Sequence, residues 1–280
     1  MSFRLANVAG RAALVEGDHY FDLEAASEGA FGPDPMAAIG GFGALHEVAA
    51  SLGGRTPTGT LRDAALESPV PAPISCFGIG LNYADHVAES GMERPTVPVV
   101  FAKFPTCIAG PGAEVAIPNG AIDYEAEVVV VIGTGGHHIA AKDAWSHIAG
   151  VTGGQDISDR ALQFAASPPH FDLGKSRDGY GPLGPVLVSV DAFDDPDDIS
   201  VECRVNGDTR QSSSTRHLIF SVPVLVEYLS SILTLQPGDV IFTGTPDGVG
   251  MASGKLLQPG DVIETRIGTV GSMTNPCVAG

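Results

Sequence analysis

Glu125 and Glu127 stand two residues apart in the stretch DYEAEVVVVIG, residues 123 to 133, and Asp123 extends the same spacing. Four valines and an isoleucine after the acids read as a strand buried on both faces. Side chains alternate along a strand, so the three carboxylates project from one face with neighbours ~7 Å apart at Cβ. Water would screen such a row at an exposed strand end, but a valine run entering a packed interior leaves little water to do so. A hard divalent cation relieves the conflict, because Mg²⁺ takes carboxylate oxygens and keeps waters for a substrate to replace. From spacing alone, a metal site and a solvated strand end both stay open.

Other clusters could complete such a site. In GGQDISDRALQF, Asp156 follows a glycine pair, and Arg160 and Gln163 fall on one face of a helical turn. The plainer alternative is an N-cap aspartate before a solvated face. His86 and Glu89, in NYADHVAES, have i,i+3 spacing, so on a helix the carboxylate can orient the imidazole as a general base requires. Gly78, Gly80 and Gly91 flank them and would let the segment move as a lid. Lys175 lies in a turn-rich loop, where it binds a carboxylate or faces water. FTGTPDGVG is neither a phosphate loop nor a dinucleotide fingerprint. The His137-His138 pair lacks the spacing of a helical ligand pair, and Cys107 has no base partner nearby in sequence.

These groups need a scaffold. With 36 glycines, 21 prolines and 44% hydrophobic residues in 280, the chain is expected to be globular, turn-rich and α+β, mostly β. Residues 1 to about 25 alternate as a hairpin-built sheet, residues 34–54 hold one or two short helices, and 58–73 is extended and proline-stiffened like a linker. The expected division is a small N-terminal α/β domain with linker, 1–70, and a catalytic domain, 71–280. Within the latter, residues 141–164 read as a helix, a glycine-rich break and another helical turn, and 221–233 as an amphipathic helix. LQPGDVI occurs at 235–241 and again at 257–263, which suits repeated turn chemistry before a strand better than a repeat architecture.

A formal net charge of -18 argues against nucleic acid and anionic membranes as partners. Cys76, Cys107, Cys203 and Cys277 form no CxxC pair, so reduced thiols are expected rather than a zinc site or a disulfide framework. No apolar run approaches a membrane span and no secretory h-region is evident, so a cytoplasmic location is expected.

Taken together and in order, GLNYADHVAE, PVVFAKF, DYEAEVVVVIG, DISDRALQ, GKSRDGYGPLGP, VNG, LQPGDVIFTGTPDGVG and LQPGDVIETRIG followed by GSMTN resemble the fumarylacetoacetate hydrolase superfamily. The resemblance covers roughly residues 71 to 276. It implies a mixed β roll, usually dimeric, around Mg²⁺ or Mn²⁺ held by Glu125, Glu127 and Asp156, with Asp123 a neighbour rather than a ligand. It further implies a catalytic His86–Glu89 dyad on a lid, a catalytic Lys175, and Arg160, Gln163, Thr245 and Lys103 facing a 2-oxo acid substrate. The chain departs from the pattern at Gln155, Asp159 and Ala161, where relatives commonly carry Asn, Ala and an acid. The implied reaction is metal-dependent hydrolysis of a carbon–carbon bond in a 2,4-dioxo acid. Its rivals are decarboxylation, isomerisation or ureido-acid lysis at the same site, and a non-catalytic metal-stabilised binding module.

Overall fold

The protein, a computed structural model, is described over residues 1–280 except for the side chain of Ser90. Strands dominate, in a 12-stranded mixed sheet, a five-stranded sheet and a two-stranded ribbon. The valine-rich strand Ala126–Ile132 lies inside the large sheet with all seven residues buried. Alternation sends its side chains into two separate cores. Val128, Val130 and Ile132 pack with Ile263 and Ile267 of the five-stranded sheet and with Leu225 and Leu229 of helix Val222–Ile232. Val129 and Val131 pack with Leu5, Leu14 and Leu45 from the N-terminal region.

Two expectations are corrected. The acids do not share one regular strand: Ile122–Asp123 pairs with Ser158–Asp159 in the separate ribbon, and Tyr124 and Glu125 lie between it and the main strand. That break leaves Asp123 and Glu125 sharing Arg160, while Glu127 turns to the Gly244 N–H. Nor is the glycine-rich segment after the short helix Ala144–His147 a break; Ile148–Gln155 is a fully buried central strand, paired with Ala126–Ile132 on one side and Gly181–Val188 on the other. Its glycines answer to close packing: a Cβ on Gly154 would stand 2.5 Å from Val129 and 2.8 Å from Phe242, and one on Gly153 2.8 Å from the Gly184 carbonyl. Composition alone makes such a strand look like a loop.

The N-terminal strands Arg4–Val8, Arg11–Glu16 and His19–Asp22 form the expected antiparallel meander, and Arg4–Val8 continues the large sheet by pairing with Gly181–Val188. The proline-rich stretch after them is tied down, since Gly59–Thr60 pairs with His19–Asp22 and Leu66–Glu67 with Arg4–Val8. Both LQPGDVI copies make the same turn. Gly238 and Gly260 take positive φ, and Asp239 and Asp261 accept the backbone N–H of Gln236 and Gln258 at 2.7 and 2.8 Å before the strands Val240–Phe242 and Val262–Ile267. No helix among the described residues is long and apolar enough to cross a membrane.

Candidate metal centre and active site

Glu125, Glu127 and Asp156 are all buried, and each offers an oxygen within 4.8 Å of the others. Three elements converge to do this: the irregular Tyr124–Glu125 link, the start of strand Ala126–Ile132 and the residue after strand Ile148–Gln155. Hydrogen bonds from the Asp156 N–H to the Glu125 carbonyl (2.8 Å) and from the Glu125 N–H to the Gln155 side chain (3.0 Å) hold the crossing. Gln155 also donates to Thr265 at 2.9 Å, so this departure from the family pattern braces the backbone that carries Glu125 and Asp156.

Cations offset most of this buried charge. Lys175 Nζ lies 2.6 Å from both Glu125 and Asp156, and Arg160 Nη2 lies 2.6 Å from Glu125. Burial pushes the Glu125 carboxyl up, but Lys175 and Arg160 outweigh it and hold the group below the usual carboxylate range. Glu127 is different. It accepts the Gly244 N–H at 2.7 Å, and no ion pair to it is formed among the described residues. Burial, Asp156 and Glu125 raise its carboxyl well above the ordinary value. A buried carboxylate facing two others without its own cation fits a divalent ion with oxygen ligands.

Asp123 serves Arg160 instead, accepting from its Nε and Nη2 at 2.9 and 2.8 Å, and it receives the N–H groups of Gly250 and Met251 at 2.7 and 3.0 Å. Lys103, expected to face substrate, stands behind the cluster. It is 1% exposed and donates to Asp156 (2.6 Å), to the Tyr180 carbonyl (3.1 Å) and to the Lys175 carbonyl, which takes up all three ammonium protons.

In front of the cluster lies a cavity of about 60 Å³ lined by Glu125, Lys175, Arg160, Gln163, Thr245 and His86 together with apolar side chains. Gln163 accepts from Arg160 at 2.9 Å, leaving its amide protons free to donate. Thr245 sends its proton to the Ala126 carbonyl (2.9 Å) and accepts from Gln211 (2.8 Å). His86 and Glu89 lie on helix Ala84–Ser90, as their spacing predicts, with Nδ1 3.4 Å from Glu89. Glu89 also accepts the Gly248 N–H with both oxygens, at 3.0 and 3.1 Å, and so pins the helix to the loop after Val240–Phe242.

Sequence reasoning missed Gln211, whose side chain accepts the Ala126 N–H at 2.9 Å from 85 residues away. It also missed Gly244, held at φ +110°, where a Cβ would stand 2.8 Å from that of Asn82. Nothing local marks either one. All four cysteines are buried and unpaired, and burial pushes Cys76, Cys203 and Cys277 up to about 12, which suits packing rather than nucleophilic duty.

The profile of the fumarylacetoacetate hydrolase C-terminal family matches residues 75–278. An oxaloacetate tautomerase of Xenopus laevis, mitochondrial, is 39% identical over 218 residues, which is 76% of this chain and 68% of that protein. The Homo sapiens oxaloacetate tautomerase FAHD2A, mitochondrial, is 40% identical over 215 residues, 75% of this chain and 68% of that one. The crystal structure of maleylpyruvate hydrolase from Sphingobium sp. SYK-6, in complex with manganese(II) and pyruvate, superposes with a TM-score of 0.83 at 30% identity, over 99% of both chains. Sequence, fold and clustered carboxylates agree, and the chain belongs to the fumarylacetoacetate hydrolase family.

Proposed function

We propose that the protein is a divalent-metal-dependent hydrolase that cleaves a carbon–carbon bond of a 2,4-dioxo acid, giving a pyruvate-like acid and a second carboxylic acid. The observation that carries this reading is the buried trio Glu125, Glu127 and Asp156, whose Glu125 lines a cavity that His86 also lines. The trio would hold Mg²⁺ or Mn²⁺, which supplies Lewis acidity at the 2-oxo carboxylate, worth several kcal/mol at a developing enolate. The remaining steps belong to side chains.

Glu89 holds His86 through Nδ1, which leaves Nε2 to take a proton from water. The water oxygen bonds to the distal carbonyl carbon, the electron pair of the adjacent carbon–carbon bond moves to the pyruvoyl side, and His86 returns the proton there. Lys175 and Arg160 line the cavity and offset negative charge in it, while the Gln163 amide can donate to a substrate oxygen. The lid helix, tied to Gly248 through Glu89, limits entry of bulk water.

A second reading is favoured by the tautomerase relatives: the same base shuttles a proton between carbon and oxygen, and no bond to water forms. Acylpyruvates and oxaloacetate offered with Mg²⁺ or Mn²⁺, followed by loss of enol absorbance and identification of products, separate the two. Pyruvate plus a carboxylic acid supports hydrolysis; enol–keto interconversion without cleavage, or release of CO₂, overturns it. The dimer that the resemblance implies and the cytoplasmic location expected from the hydropathy of the sequence are part of the proposal, with scattering-based mass and cell fractionation as their checks. The division into a 1–70 unit and a 71–280 catalytic unit is proposed with it.

A further inference from the structure

The cavity is divided by chemistry. Glu125, Lys175, Arg160 and His86 line it beside apolar side chains, among which Phe101 is buried while Met92, Phe164 and Met251 reach the surface. The last three are large apolar residues left 48%, 42% and 45% exposed at a single mouth, a costly arrangement unless something apolar covers it. Phe101 and Phe171 meet edge to face at 5.7 Å, with the Lys175 ammonium 5.1 Å from the Phe101 ring.

Charge points the same way. Asp123, Glu125 and Asp156 pair with the cations Lys103, Lys175 and Arg160, and Glu127, ionised as a metal ligand must be, makes four negative charges against three positive ones. A bound dication turns that single net negative charge into a single positive one, which one substrate carboxylate neutralises. A second carboxylate would find no uncommitted cation among the lining residues, because Arg160 and Lys175 are already engaged with acids and His86 leans on Glu89. Beside His86 the field is itself acidic: burial raises the Asp247 carboxyl, and so do Asp85 and Glu89 nearby. An unpaired anion there carries its full desolvation cost.

We propose that the site selects a 2,4-dioxo acid whose acyl substituent is an uncharged alkyl or aryl group, seated against Met92, Phe164 and Met251, over one that ends in a second carboxylate. This rests on the metal-site reading above and narrows its substrate class.

Binding to the Mn²⁺-loaded protein tests it without turnover. Calorimetry would compare 2-oxohexanoate with 2-oxoglutarate, nearly equal in size but ending in methyl and carboxylate, and with pyruvate, which has no tail. The expected result is 2-oxohexanoate about tenfold or more tighter than either, the gain of burying a few methylenes without stranding a charge. Phe164→Arg and Met251→Arg, at exposed positions, should each collapse or invert the hexanoate-to-glutarate ratio. Equal or tighter binding of 2-oxoglutarate by the unaltered protein, or ratios unmoved in both variants, would overturn the apolar-tail assignment while leaving the 2-oxo acid site intact. Failure of all three acids, pyruvate included, would sink the site reading and this proposal together.

Discussion

Glu127 is the residue on which the metal hypothesis can be tested most directly. Its neighbours in the trio have Lys175, Arg160 or Lys103 beside them, whereas its own carboxyl is raised by burial and by two other acids. Glu127→Ala should therefore reduce Mn²⁺ per chain, measured by elemental mass spectrometry after desalting, to background, without a comparable loss of fold by circular dichroism. His86 is at the opposite extreme, since it lines the cavity and ion-pairs only toward Glu89 among the described residues. His86→Ala should keep its metal and lose ~10²–10⁴-fold in kcat on a turned-over dioxo acid. Retention of more than a tenth of the activity would remove His86 from the mechanism. Lys103 shows how residue type can mislead. A lysine after an apolar strand is indistinguishable in sequence from one that greets substrate, yet here it neutralises Asp156 from behind.

At the scale of elements, two features set the geometry. Strand Ile148–Gln155 delivers Asp156 only because Gly153 and Gly154 let Val129, Phe242 and the Gly184 carbonyl approach. Gly154→Ala should cost ~1–3 kcal/mol in urea unfolding through overpacking; a neutral result would show that the strands can part without penalty. Asp159 is the second device. Fully buried, it caps helix Arg160–Gln163 through the Leu162 N–H (3.0 Å), accepts from Arg177 Nε (2.9 Å) in the loop that carries Lys175, and accepts from Asn119 (3.2 Å). The Arg177 side chain is 41% exposed, so its ion pair is discounted for solvent screening. Loss of cap and tether in Asp159→Ala should still cost ~1–3 kcal/mol, measured by denaturant midpoint, with only the cap recovered in Asp159→Asn, whose amide NH2 would meet the donors Arg177 and Asn119.

For the molecule as a whole, two cores meet along the strand Ala126–Ile132, and the site lies at its N-terminal end. The N-terminal strands do more than decorate this arrangement: Leu5 and Leu14 share a core with Val129 and Val131, and Arg4–Val8 is hydrogen-bonded into the same sheet. A ligand that binds only the folded site stabilises everything coupled to it. Mn²⁺ at a hundredfold over its Kd should add about 2.7 kcal/mol. Scanning calorimetry with Mn²⁺ and then with excess chelator should show the whole transition move up and return. A transition that ignores the ion would mean that the trio does not bind it in the folded state.

What the sequence determined by itself was chemistry with a local address: the acids before a valine run, the i,i+3 histidine and glutamate, the proline-glycine-aspartate turns, and a family signature carried by short motifs in a fixed order. Each depends on neighbours within a few residues, whose periodicity or turn geometry is written in the chain. What only the tertiary structure decided was which partner each charge would meet: Asp123 turned to Arg160, Lys103 placed behind Asp156, Gln211 reaching Ala126, and a glycine-rich segment made into a central strand. Those outcomes depend on contacts between segments tens of residues apart, and close packing with opposed charge in a water-poor interior selects among arrangements that local propensity leaves equal.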